Sequence, residues 1–239
     1  MRIHKFAQHS HILGRPMPMS IYGHFGVPLL LIPTASSDFE EHERMGMVAA
    51  LAHHVEAGRV KLFSVNSINS ESLSNFSIPP VERIRRQALY DRYLAEEVVP
   101  AIYHDCQSQL PIAVAGASFG AYHAANSLLR HPELFKIGIC MSGVYDITSC
   151  LDGYYDDTCY AHNPVDYLRH YDPSRLAGCQ LHVLCGQGPW ERIHWTREFS
   201  NRLAASGIEH NFDLWGPEVA HDWPWWHRQM DMYVGRLFA

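Results

Sequence analysis

The sequence predicts an α/β fold with a mostly parallel central sheet flanked by helices on both faces. Three observations lead there. Val27–Ile32, Val60–Val65, Pro111–Ala115 and Ile137–Met141 are near-continuous apolar runs. A strand covered on both faces has no solvent side to alternate with, so it takes this form. Between the runs lie segments with apolar residues at helical spacing, such as Ala121, Ala124, Ala125, Leu128 and Leu129 before Pro132. Strand and helix alternate along the chain, which implies right-handed crossovers between parallel strands.

In order, residues 1–25 read as a hairpin, Arg2–Phe6 then Met17–Tyr22, leading into the first central strand, Val27–Ile32, ended by Pro33. Asp38 followed by Glu41 suggests a capping box. The helix it opens has Met45, Val48, Leu51 and Val55 on its inner face and is closed by Gly58. After the strand Val60–Val65 comes a polar loop over 66–81. A long helix from about Val81 to Cys106 should bury Ile84, Ala88, Leu94, Val98 and Ile102. Pro100 lacks the N–H the helical ladder needs and should kink it. Residues 144–178, rich in Tyr, Asp and Pro, read as an irregular insertion over the C-terminal edge of the sheet, within a single domain spanning 1–239. Leu181–Cys185 and Phe212–Trp215 are the last strands, each followed by a helical segment.

Composition narrows the function classes. A formal charge of −6 with no basic cluster argues against a nucleic-acid partner. No apolar run approaches the ~20 residues of a membrane span. The N-terminal residues carry charge but no apolar core of a signal peptide. Six scattered cysteines, with Cys140 and Cys185 inside strands, fit a reduced, cytoplasmic compartment, although Cys150 and Cys159 bracket a loop that a disulfide could close. The 17 histidines include His9-x-His11, His53-His54 and His221…His227, none of which matches a tight metal-ligand pattern.

The chemistry begins at Gly116-Ala117-Ser118-Phe119-Gly120, G-x-S-x-G at the end of an apolar strand and the start of a helix. A serine at such a turn is held in strained backbone with its hydroxyl projecting from the sheet edge. The flanking glycines avoid collisions that side chains would create across so tight a bend. The helix N-terminus also favours developing negative charge. This is a nucleophile elbow, and it points to acyl transfer.

A serine hydroxyl attacks poorly until an imidazole can take its proton, and the imidazole must be held by a carboxylate. On such elbows the chain order is serine, acid, histidine. His221 follows the last strand across Gly216–Ala220 and precedes a helix, whereas His227 lies within that helix and His210 before the strand. Glu191, in Gly186-Gln187-Gly188-Pro189-Trp190-Glu191, is the first carboxylate after the strand Leu181–Cys185; Asp146, Asp213 and Asp222 are its rivals. An oxyanion needs two N–H donors. The amide of Phe119 is one, and the loop Pro33-Thr34-Ala35-Ser36 should supply the other, through Ala35 ahead of Thr34 or Ser36.

Together with the helix ending Glu96-Glu97-Val98-Val99-Pro100 and the segment His221-Asp222-Trp223-Pro224-Trp225-Trp226, the elbow resembles the esterase branch of the α/β-hydrolase superfamily, from Val27 to Leu237. Its members include esterase D (S-formylglutathione hydrolase) and the feruloyl and acetyl-xylan esterases; the mycolyltransferases are similar. The resemblance implies a serine hydrolase with Ser118 and His221 in the family's roles. The C-terminal segment matches the H-x-W-x-x-W of many relatives. Three features depart from the pattern. Ala121 stands where a further glycine is common, the acid is a delayed glutamate rather than an early aspartate, and Thr34-Ala35-Ser36 lacks the cysteine of esterase D relatives. Glutathione thioesters are therefore not the first expectation.

The expected activity is hydrolysis of carboxylic esters through an acyl-serine, on a small-molecule substrate and without a cofactor. An acyltransferase using the same intermediate and a non-catalytic binding protein are the other readings. Phe119, Tyr145, Tyr154, Tyr155, Trp190, Trp215 and Trp223 cluster around the site in sequence. Of these, Trp190, Tyr145 and Trp223 are the candidate substrate-binding residues, since aromatic walls suit an apolar acyl or aryl group.

Overall fold

A computed structural model describes all 239 residues. Its eight strands are β1 (Ile3–Ser10), β2 (Arg15–Tyr22), β3 (Val27–Ile32), β4 (Val60–Val65), β5 (Ile112–Ala117), β6 (Phe135–Met141), β7 (Gln180–Cys185) and β8 (Asn211–Leu214). They form one sheet in the order β1-β2-β4-β3-β5-β6-β7-β8. β1 and β2 join antiparallel, and every pairing from β4 to β8 is parallel. No helix is long and apolar enough to cross a membrane.

The apolar runs lie where two cores require them. On one face Leu30, Ile32, Val114 and Val183 pack beneath α1 (Pro80–Tyr93), α2 (Val99–Cys106), α3 (Phe119–Arg130) and α4 (Ile193–Ala205), through residues such as Tyr90, Ile102, Leu128 and Phe199. On the other, Leu29, Leu31, Ala115 and Met141 pack against Met47, Val48, Leu51 and α5 (Trp223–Leu237). Consecutive strand residues thus enter opposite cores, so neither face can be polar.

Several elements depart from expectation for local reasons. The helix after Asp38 is three short turns, Glu41–Arg44, Met47–Ala50 and Ala52–Glu56. Gly46, at φ +86°, breaks it and leaves Met45 exposed rather than facing the core. Asp38 does cap the Glu40 N–H at 2.9 Å, but Glu41 turns away to Thr34 instead of closing a box. Ahead of Pro100 the long helix widens into a π-turn, Leu94–Val98, which accommodates the ring and the missing donor. The insertion carries two short helices, Asp157–His162 and Pro164–Tyr167. Buried Arg83 of α1 secures it, donating to the Cys150 carbonyl (2.7 Å) and Asp152 (2.5 Å). All six cysteines are free thiols, so Cys150 and Cys159 are not bridged.

Three histidines are buried as neutral rings. Burial pushes the imidazoles of His42 and His123 down to about 3 and that of His162 to about 4, with Asp91 partly opposing the shift in the last two. An unfolded chain protonates these rings below about pH 6.5 and the folded one does not. Unfolding therefore takes up protons, and stability must fall as the pH drops through the window from about 6.5 to 4. Each ring contributes at most about 1.4 kcal/mol per pH unit. Urea midpoints should be markedly lower at pH 5.5 than at pH 7.5; equal midpoints would contradict the assignment.

Candidate active site

Ser118 follows the last residue of β5 and caps α3 at φ +55°, ψ −119°. The bend is possible because two backbones touch across it. A Cβ on Gly116 would overlap the Gly120 carbonyl, and one on Gly120 would overlap the carbonyl oxygens of Ile32 and Pro33, the latter at 2.7 Å. The end of β3 is thereby pressed against the elbow, and Ala35 packs into the same apolar cluster as Phe119.

The next two strand ends continue this row. Ser118 N–H donates to the Met141 carbonyl (2.9 Å), and Ser142 N–H to the Leu184 carbonyl (2.7 Å). Beyond β7, the loop through Glu191 lies backbone-to-backbone on the loop before His221. Gly188 N–H donates to Val219 (2.8 Å) and His221 N–H to Pro189 (3.0 Å). Glycines permit this too, because Cβ atoms on Gly186 and Gly188 would run into the Val219 carbonyl.

That packing sets Glu191 beneath His221, which donates from Nδ1 to Glu191 Oε2 at 3.2 Å. The carboxylate side chain is 1% exposed and the imidazole 22%. Glu191 Oε1 accepts from the Ser142 hydroxyl (2.6 Å) and the Gly186 N–H (3.1 Å), and Oε2 also from the Cys185 thiol (3.6 Å). Burial pushes this carboxyl up, but the bonds from His221 and Ser142 and the nearby imidazole charge outweigh it, holding it below the usual carboxylate range. Trp226 stands edge-on to the imidazole, ring centroids 5.0 Å apart at 85°, and donates its indole N–H to Ser142 Oγ (3.2 Å). With Nδ1 acting as donor, His221 presents the Nε2 lone pair. Ser118 Oγ and His221 Nε2 share no hydrogen bond; bonds of this kind commonly tighten in the complex with substrate.

The rival acids have other partners. Asp146 is exposed and accepts from Thr148 N–H and Asn163. Asp213 accepts from Trp215 and Tyr233, and Asp222 caps α5 through Trp223 N–H. Among the rival histidines, His210 bonds Ser200 and the Ile208 carbonyl. In the loop after β3, Thr34 N–H and Oγ1–H are both taken by Glu41 (2.8 and 2.5 Å). The Ala35 N–H has no such partner. Trp226 stands in the H-x-W-x-x-W match, but its bond to Ser142 does not show in that pattern, and Ser142 itself, a serine after a strand, carries no pattern of its own.

The aromatic candidates part company. Tyr145 does not line open space: it is 1% exposed and stacked on Phe199, ring centroids 4.0 Å apart, with its ring folded back against Gly143, where a Cβ would collide with it. Trp223 is also packed inward, edge-on to Trp226 and His42. Trp190 is 85% exposed, at φ +67°, directly before Glu191. A cavity of about 830 Å³ opens at the opposite end of the sheet among Val27, Lys61, Ile112 and Ile137 and is lined by none of these residues. Among the histidines, His53, His54 and Asp231 do come together as possible metal donors. There Arg59 donates to His54 Nδ1 (3.1 Å), so the Nε2–H is directed at Asp231 (3.0 Å).

Comparison with known proteins adds the family. Residues 10–237 match the family model described as "Putative esterase". Three solved structures are similar in fold. A ferulic acid esterase aligns at 18% identity and TM-score 0.76, covering 100% of this chain and 98% of that one. FphF, a fluorophosphonate-binding serine hydrolase of Staphylococcus aureus, aligns at 15% identity and TM-score 0.74, over 100% and 98%. S-formylglutathione hydrolase (FrmB) of the same organism aligns at 16% and 0.67, over the whole of both chains. The fold is that of the α/β-hydrolases. A search of curated proteins finds no match.

The elbow's geometry makes a direct prediction. In Gly120→Ala the new methyl meets backbone, which cannot rotate away. The substitution should cost about 1–3 kcal/mol or more, as overpacking does. A thermal melt matching wild type would show that the β3 end does not press on Gly120.

Proposed function

As this chain belongs to the Esterase family and is a serine esterase, we propose that it hydrolyses carboxylic esters through an acyl-serine intermediate, using Ser118, His221 and Glu191. One observation carries the reading: a buried glutamate bonded to the Nδ1 of a half-buried histidine, at the same end of the parallel sheet as a serine held on a strained elbow.

In this mechanism Ser118 Oγ attacks the ester carbonyl carbon while His221 Nε2 takes its proton. The carbonyl oxygen becomes an oxyanion, stabilised by the N–H groups of Phe119 and Ala35. Collapse expels the alcohol, which leaves with the proton held by His221. Water then attacks the acyl-serine by the same steps, freeing the carboxylic acid and restoring Ser118. Glu191 stays ionised throughout and steadies the imidazolium. Phe119 opens α3, so its N–H belongs to the first turn, whose donors lack partners within the helix.

Trp190 is our choice for a substrate contact. A large aromatic held at positive φ and left in water beside the acid is an unfavourable arrangement that an apolar ligand would relieve. It suits an aryl or other apolar group on the ester.

Ser118→Ala and His221→Ala should each lower p-nitrophenyl acetate and butyrate hydrolysis by about 10⁴-fold or more, and Glu191→Gln by about 10³–10⁴-fold. A fluorophosphonate probe should label Ser118 in wild type only. Well-folded protein with neither turnover nor label would favour a binding protein instead. Trp190→Ala should raise KM for aryl esters more than for acetyl esters of small alcohols, leaving kcat for the latter near wild type. An equal change for both classes would remove Trp190 from the substrate site.

A further inference from the structure

Ser142 has features that chain folding alone does not require. It follows β6 with a buried side chain, 5% exposed, yet sits at φ +52°, a conformation in which glycine or asparagine would be less strained. Its backbone is locked in line with the sheet, since its N–H extends the β6–β7 ladder to Leu184. The hydroxyl therefore points in a direction the sheet sets.

The hydrogen-bond directions around it are unambiguous. An indole N–H can only donate, so Trp226 Nε1 at 3.2 Å donates to Ser142 Oγ. The single hydroxyl proton is then free for Glu191 Oε1 at 2.6 Å, an ionised acceptor. The Trp226 bond thus polarises the hydroxyl that Ser142 donates to Glu191 Oε1, while His221 donates to Oε2 of the same carboxylate. A glutamate has one more rotatable bond than an aspartate, and its terminal carboxylate torsion is soft. Anchoring Oε1 with Ser142 and the Gly186 N–H is what leaves Oε2 facing His221 Nδ1.

We infer that Ser142 is a positioning residue for ester hydrolysis: its hydroxyl fixes the Glu191 carboxylate in the orientation that holds His221. The inference rests on the proposed triad and explains how the late glutamate can serve as its acid.

Ser142→Gly is the decisive variant, because it deletes the hydroxyl while relieving the positive φ. A merely structural serine would leave activity unchanged or lower it together with stability. As a positioning residue it should lose about 10–100-fold in kcat, typical when a supporting hydrogen bond to a functional group is removed. KM should stay within about twofold, since the substrate contacts are untouched, and the thermal midpoint near wild type. Ser142→Ala, which keeps the strain, should show the same kcat loss. Placed in Glu191→Gln, Ser142→Gly should cause little further loss, because no carboxylate remains to orient. Trp226→Phe should lower kcat by a smaller factor. If Glu191→Gln is impaired but Ser142→Gly and Ser142→Ala keep wild-type kcat, the positioning role is overturned and the triad stands. If Glu191→Gln itself is fully active, the acid assignment fails first.

Discussion

A buried negative charge must have its lone pairs satisfied, and the C-terminal half of this chain is arranged around one. Glu191 accepts from Ser142 at the end of β6, from Cys185 and Gly186 at the end of β7, and from His221 after β8. Strand ends that are far apart in sequence are thus joined through one carboxylate. Left unpaired, that charge would be expensive; with these partners it is held ionised. The same bonds fix where the histidine stands. Stability and chemistry draw on a single cluster here, and α5 is tied into it through the Trp226 indole.

Backbone contact is the second constraint, and it recurs on both sides of the site. Gly116 and Gly120 bring β5, α3 and the end of β3 together; Gly186 and Gly188 bring the acid loop onto the histidine loop. In each pair a methyl group would meet main chain, not a side chain that could turn aside. The two close approaches put rigid elements under Ser118 and under His221. A serine on a strained turn and a histidine on a loop are otherwise mobile groups, and near-attack geometry tolerates little error.

Much of this could be read from the residues. The parallel strands announce themselves as apolar runs because two cores press on them, and the glycines and serine of the elbow stand at fixed offsets. Chain order and loop position favour His221 and Glu191, although Asp146 fits the same order and only its tertiary partners set it apart. What escaped depends on tertiary contact. The turns at 41–56 keep helical periodicity in Val48, Leu51 and Val55, yet Gly46 divides them, and nothing local says that Glu41 belongs to Thr34. Tyr145 looks like a pocket residue by its neighbours in sequence, but its ring folds back against Gly143 and stacks on Phe199. Ser142 is one serine among many until the sheet aligns it with Glu191.

The loop after β3 shows the same logic applied to a second acid. Glu41 takes both the N–H and the hydroxyl of Thr34 in a two-point hold on one residue. Ser36 then adopts left-handed backbone, at φ +56°. Between these residues Ala35 packs against the Phe119 cluster. A donor aimed before the reaction begins spends no reorganisation energy when charge develops, and that is why electrostatic stabilisation of an oxyanion is effective. One glutamate bonds the imidazole proposed as the base; the other holds Thr34, the residue before the amide proposed for the oxyanion.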